Sequence, residues 1–189
     1  MNKLILRKRL IQKRASLTEE QRRYANQKIR DGFEKIIQKE HFPKEDMLYF
    51  YVSIHTEVDT KGIISDLLEK GYRIALPKVT DLQQHEMKFF EIFQMSDLKK
   101  GFHGIYEPQN DNQEEICSKG IMVVPGLGFT KKMDRLGYGG GFYDRYFSKM
   151  RADILKVAFA FECQIVQNLP VEETDYKIDM IITEDSIYE

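Results

Sequence analysis

Cysteine is nearly absent from this chain, and the two that occur, Cys117 and Cys163, stand far apart in no metal-like spacing. That excludes a disulfide scaffold and makes a reducing compartment the natural expectation. Long apolar runs are also missing. None approaches the roughly 20 residues a membrane-spanning helix needs, and the N-terminal Leu4–Leu6 stretch is cut short by Arg7, Lys8 and Arg9, unlike a signal peptide. A cytoplasmic location with no membrane partner is therefore expected. No GxSxG elbow appears, neither cysteine sits in a nucleophile motif, and His41, His55, His85 and His103 form no ligand-like pair. Covalent catalysis through a side chain has no support.

Net charge is nearly absent too. Lysine and arginine number 29 against 30 acidic residues, a formal charge of −1, so overall charge predicts no partner. Its distribution is uneven: from Lys3 to Arg30 only Glu19 and Glu20 oppose a run of basic residues. Such a segment attracts phosphates, carboxylates or nucleic acid, or is simply a solvated helix face. No nucleic-acid-binding motif accompanies it, so no nucleic-acid partner is expected.

At 189 residues, with 42% hydrophobic and 31% charged, the chain fits one domain with a sizeable core. Asn2 to Arg14 has helix formers and no breaker. Thr18 with Gln21 resembles a capping box, followed by Ala25, Ile29, Phe33 and Ile36/Ile37 at helical spacing, so two helices precede Pro43. Met47–Ser53 reads as a buried strand. Asp59 or Thr60 can cap a helix carrying Ile63, Ile64, Leu67 and Leu68, stopped by Gly71, and Arg73–Val79 is the next strand, a βαβ unit. Further strands are expected at Met87–Phe93, Ile121–Val124, Leu155–Phe161 and Met180–Thr183, with a loop at Gly101–Pro108 and a helix at Phe142–Met150. Strands alternating with helices predict an α/β fold with a largely parallel, helix-covered sheet.

The chemistry concentrates in Arg135-Leu136-Gly137-Tyr138-Gly139-Gly140-Gly141-Phe142-Tyr143-Asp144. Four glycines leading into a helix N-terminus let backbone amides face an anion. The stretch is neither a P-loop nor a GxGxxG dinucleotide motif in its usual spacing. Arg135 adds a forked donor suited to phosphate, and Asp144 can cap the helix or hold Mg²⁺. A plain flexible turn is the alternative. Lys3 and Arg7, one helical turn apart, can add positive charge or be solvated surface. Glu57, just past the first strand, is placed to accept hydrogen bonds from a ring or to serve as a helix-dipole partner. Tyr143 can meet a ligand or pack against Phe147. Asp175 and Asp179 are metal-ligand candidates or ordinary loop residues.

With Pro125-Gly126-Leu127-Gly128-Phe129 ahead of it, the glycine-rich run through Arg145 resembles the signature of the 5-formyltetrahydrofolate cyclo-ligases. Lys3-x-x-Leu6-Arg7, Ser53 through Glu57 to Thr60, Gly104-Ile105-x-Glu107-Pro108, and Asp175 through Asp179 to Thr183 fall in the same order as in that family, so the resemblance spans nearly the whole chain. Two positions depart from it. Thr130 stands where the family usually has Asp, and Met133-Asp134 where a glycine usually precedes the Arg-Leu-Gly. The resemblance implies a three-layer α/β/α fold like that of the sugar-phosphate isomerase and CoA-transferase group, in one domain over residues 1–189. It implies ATP-dependent closure of 5-formyltetrahydrofolate to 5,10-methenyltetrahydrofolate. ATP would be bound by Lys3, Leu4, Ile5, Leu6 and Arg7 and by Arg135, Leu136, Gly137, Tyr138, Gly139, Gly140, Gly141, Phe142 and Tyr143. Lys3, Arg7, Arg135 and Tyr143 would act on the reacting groups, Val52 and Glu57 would contact the folate, and Asp144 and Asp175 would hold Mg²⁺. The implied substrate is a reduced folate, with or without a polyglutamate tail, and a monomer is expected. A ligase acting on another substrate and a binding protein without turnover are the competing readings.

Overall fold

The computed structural model describes residues 2–39, 41–101, 104–109, 119–150 and 153–189. His103 and Cys117 lie outside them, as does part of the expected Gly101–Pro108 loop. Among the described residues four α-helices surround one seven-stranded sheet. The helices are α1 (Lys3–Ala15), α2 (Glu19–Lys39), α3 (Thr60–Glu69) and α4 (Phe142–Lys149). The sheet takes β1 (Met47–Tyr49), β2 (Arg73–Asp81), β3 (Glu86–Ile92), β6 (Lys119–Val123), β9 (Asp153–Phe159), β10 (Met180–Ile182) and β11 (Ile187–Tyr188). Two small hairpins lie outside it: β4 (Leu98–Lys100) with β5 (Tyr106–Pro108), and β7 (Gly128–Phe129) with β8 (Arg135–Leu136).

The strand order is β11-β10-β9-β6-β1-β2-β3. The five inner strands run parallel, and β3 and β11 close the two edges antiparallel. Because side chains alternate across a strand, β1 supplies Leu48 to one core and Met47 and Tyr49 to the other. The first core is filled by α2 and α3, with Phe33 edge-on to Phe50 and Phe159. The second is covered by α4, whose Phe147 lies among Phe89, Phe129 and Ala158. Helices on both faces of the sheet make three layers. Helix α1 lies apart, with Leu6 and Leu10 packed on Leu127 and Leu136 of the β7–β8 region.

Local rules account for the boundaries. Asn2 caps α1 through Leu4 N–H, and Asp59 caps α3 through Lys61 N–H. Thr18 and Gln21 exchange the two bonds of a capping box at the start of α2. Gly71, at φ +81°, ends α3. No helix among the described residues is long and apolar enough to cross a membrane.

Two expectations need correcting. The paired part of the first strand ends at Tyr49, because Phe50 to Ser53 leave the ladder to form the site loop, although Phe50 N–H still reaches Ala75 O at 3.0 Å. The 101–108 segment is not wholly loop, since Tyr106–Pro108 pairs with Leu98–Lys100. Strands β7, β8 and β11, each two residues long, were too short to leave a periodic signal.

Candidate active site

Chain order around β1 and β6 determines where a ligand can sit. The β1–α3–β2 unit winds toward one edge of the sheet and the β6–α4–β9 unit toward the other. The loops leaving β1 and β6 therefore diverge and open a crevice at the carboxyl ends of these neighbouring strands, the usual binding place in open α/β sheets. Glu57 lies on the first loop. Residues 125–141 make up the second, ending at the N-terminus of α4.

The β1 loop is clasped at its base. Thr60 Oγ1 donates to Tyr51 O at 2.6 Å and accepts from Ser53 N–H at 2.9 Å. This fixes the turn in which Ile54 N–H donates to Glu57 Oε2 at 2.9 Å. Val52 is buried in the α2–α3 core, so little beyond its backbone remains to meet a ligand.

Arg135 sits on β8, its side chain only 4% exposed. Nη2 donates to Asp144 Oδ1 at 2.8 Å and Nη1 to Pro125 O at 3.2 Å, while the buried Nε has no acceptor among the described residues. The guanidinium lies 5.8 Å from the Tyr143 ring centre, and the Tyr143 hydroxyl is also buried without a partner among the described residues. Tyr143 thus fits both readings of the sequence, since its ring packs on Phe147 at 6.0 Å. Gly139 (φ +103°) and Gly141 (φ +69°) adopt backbone conformations that side chains resist. A Cβ on Gly139 would lie 3.1 Å from the Arg7 guanidinium carbon. Arg7 Nε donates to Gly137 O at 2.9 Å, tying α1 to the glycine run.

Lys3 is less free than its position in the sequence suggests. Its ammonium meets Asp175 at 2.8 Å and Glu172 at 3.0 Å. Burial works against the charge of Asp175, but Lys3 and Glu172 N–H together hold its carboxyl below the usual range. Leu4 and Ile5 are exposed, whereas the side chains of Leu6 and Leu136 belong to the core. Asp144 does not cap α4, whose N-cap is Gly141; it accepts instead from Arg135 and from Tyr176 N–H. Asp179 is held by Lys156, on β9.

The two loops meet through Tyr138. Its hydroxyl donates to Glu57 Oε1 and accepts from Arg14 Nη2 at 3.0 Å. Arg14, on α1, also donates from Nε to Thr56 Oγ1 at 3.1 Å. Burial raises the Glu57 carboxyl above its ordinary value, opposed by the Tyr138 and Ile54 hydrogen bonds and by the Arg14 charge. Sequence reasoning missed Arg14 and Thr56. The signal for Arg14 was spacing: it follows Arg7 by seven residues, two helical turns, and shares its face.

Comparison with known proteins decides the family. The model of the 5-formyltetrahydrofolate cyclo-ligase family matches residues 1–184. The chain belongs to that family. It is 32% identical over 165 residues to the 5-formyltetrahydrofolate cyclo-ligase of Haemophilus influenzae, covering 86% of this chain and 87% of the relative. It is 30% identical to the Mus musculus cyclo-ligase, covering 81% and 80% of the two chains. The 5,10-methenyltetrahydrofolate synthetase of Aquifex aeolicus superposes with a TM-score of 0.80 at 30% identity, over 99% of this chain and 92% of that one. The synthetase from Mycoplasma pneumoniae gives 0.75 at 25% identity, over 97% and 99%. The cyclo-ligase is thus an α/β enzyme whose relatives act on folate, and the residues above can be weighed against that chemistry.

The donor set fits a polyphosphate. Arg135 offers a buried N–H with no acceptor, Arg7 stands over the glycine backbone, and a helix begins at Gly141. It also fits Mg²⁺. Asp144 and Asp175 each have one oxygen engaged and one without a hydrogen bond among the described residues, and Tyr176 N–H links the two positions.

Proposed function

We propose that this enzyme uses ATP to close 5-formyltetrahydrofolate to 5,10-methenyltetrahydrofolate, releasing ADP and phosphate. A formyl group on nitrogen is amide-like, and its oxygen leaves only when converted to a better leaving group. The formyl oxygen attacks the γ-phosphorus and ADP departs. N10 then attacks the activated carbon, phosphate leaves with the former formyl oxygen, and the N10 proton is lost.

The protein's part is positioning and charge neutralisation. Arg7, Arg135 and the amides of Gly137–Gly141 hold the triphosphate. Lys3, paired with Asp175 and Glu172, would add its positive charge beside them. Asp144 and Asp175 hold Mg²⁺, which when bound neutralises phosphate charge. Tyr143, beside Arg135, can donate its unpartnered hydroxyl to a phosphate oxygen. Glu57 accepts the ring N–H groups of the pterin, with Val52 at its flank. The reading takes the protein to be a cytoplasmic monomer.

One observation carries the reading: Tyr138, inside the glycine run, hydrogen-bonds Glu57 across the crevice, so the phosphate end and the ring-binding carboxylate adjoin. The test is absorbance at the methenyl-folate band on mixing protein, 5-formyltetrahydrofolate and Mg²⁺, with and without ATP. An ATP-dependent rise that disappears in Arg135→Ala supports the reading. ATP binding without a rise points to a ligase acting on another substrate.

A further inference from the structure

We propose that Arg14 is a positioning residue for the folate half of the site, setting the orientation in which Glu57 meets the pterin. Arg14 is only 4% exposed, yet no carboxylate pairs with it among the described residues. A buried guanidinium is costly, and two neighbouring positions on its helix, Leu6 and Leu10, show that α1 can be anchored by leucine alone. Anchoring therefore does not explain an arginine here.

Its hydrogen bonds do. A guanidinium only donates, so the Tyr138 oxygen must accept from Arg14, which turns the single hydroxyl hydrogen of Tyr138 toward Glu57 Oε1. The other arm, Nε, holds Thr56, the residue before Glu57. The guanidinium also lies 5.9 Å from the Tyr138 ring centre. Arg14 thus restrains Glu57 from both sides: through the phenol at Oε1, and through Thr56 at its backbone. Each Glu57 oxygen receives one protein donor, Tyr138 at Oε1 and Ile54 N–H at Oε2, and keeps a lone pair for a ligand. Without Arg14, only the Glu57 hydrogen bond holds the Tyr138 hydroxyl in this orientation, since the residue is 43% exposed and flanked by Gly137 and Gly139.

This rests on Glu57 receiving the folate, so the test reads binding before turnover. Calorimetric titration of 5-formyltetrahydrofolate into wild type, Arg14→Met, Tyr138→Phe and the double variant, without ATP, gives the four corners of a cycle. Arg14→Met is expected to weaken folate binding about tenfold to a hundredfold, the range for a hydrogen bond involving charge. In the Tyr138→Phe background the same change is expected to lose most of its effect. The KM for ATP should shift by less than about threefold, which a general loosening of α1 would not spare. If Arg14→Met does not fold, Thr56→Val with Tyr138→Phe removes both acceptors and should show the same weakening. Full additivity, or folate binding in the variants within about threefold of a wild type that binds, overturns the role of Arg14. A wild type that does not bind folate overturns the assignment of Glu57 as well.

Discussion

Replacing Asp144 with alanine tests whether this carboxylate is part of the fold before it meets any metal. In the ligand-free protein Asp144 Oδ1 accepts from Arg135 Nη2 at 2.8 Å and from Tyr176 N–H at 3.2 Å. The Arg135 side chain is 4% exposed and that of Asp144 24%. Removing one partner of a buried pair costs about 3–5 kcal/mol, because the other charge stays buried, and the partial exposure of Asp144 argues for about 3. Asp175 is already engaged, since Lys3 and the Glu172 N–H both hold its Oδ2. For a chain of 189 residues each kcal/mol moves the midpoint by about 2–4 °C, so Asp144→Ala should melt about 6–12 °C below wild type. Asp144→Asn keeps an acceptor and should lose less than half of that. The assay is thermal unfolding without Mg²⁺ or nucleotide. If Asp144 serves only as a metal ligand, its removal relieves repulsion with Asp175 and leaves the midpoint unchanged or higher. An Asp144→Ala midpoint equal to wild type would refute the structural role.

Two further outcomes follow from the same geometry. Gly139→Ala places a side chain at φ +103° and 3.1 Å from the Arg7 guanidinium carbon, a strain of about 1–3 kcal/mol. It should raise the KM for ATP well above any change in the KM for folate, and equal shifts in steady-state kinetics would count against the Arg7–glycine contact. The second outcome concerns pH. Glu57 keeps its proton in the folded chain above the ordinary value of 4.5, because burial disfavours the charged form. In that window the folded state holds a proton the unfolded state has released, so this group's contribution to stability falls as pH rises. Glu57→Gln should flatten that fall, gaining stability relative to wild type between acidic and neutral pH in urea titrations. A constant difference between the two proteins would exclude the effect.

Much of the fold was legible because its determinants are local. The capping box at Thr18, Asp59 ahead of α3, Gly71 behind it and the apolar runs of the parallel strands each act over a few residues, and each appears at or near where the sequence places it, though the first strand ends early at Tyr49. The clustering of the glycines, Arg135 and Asp144 was legible for the same reason, since they lie within ten residues. What sequence could not reveal is pairing across distance. Lys3 read as a free cation, but Asp175 and Glu172, far along the chain, neutralise it. Asp144 read as a cap or a metal ligand, but its principal partner is Arg135, on β8, a two-residue strand with no pattern of its own. Arg14 read as part of a basic run, and only the approach of the β1 and β6 loops turns it toward Tyr138 and Thr56.

The two positions at which the sequence departs from the resemblance, Thr130 and Met133-Asp134, lie in the turn that leads into β8. Met133 adopts φ +67°, the left-handed conformation that glycine takes without cost and a larger residue resists. The neighbouring bonds supply the restraint. Thr130 is buried, its hydroxyl donates to Asp134 Oδ2 at 2.8 Å, and it accepts from the N–H groups of Lys132 and Asp134 at 3.2 Å. Met133 N–H returns to Thr130 O at 3.0 Å, and Met133 O accepts from Ile178 N–H at 3.1 Å. Thr130 and Asp134 thus close the turn from inside while Ile178 pins it from outside, and the Met133 side chain packs against the α4-side core. The strain at one residue is offset by a closed set of hydrogen bonds, and β8 emerges from the turn with Arg135 directed at Asp144. Thr130, Met133 and Asp134, the positions at which the sequence departs from the resemblance, thus lie in one hydrogen-bonded turn.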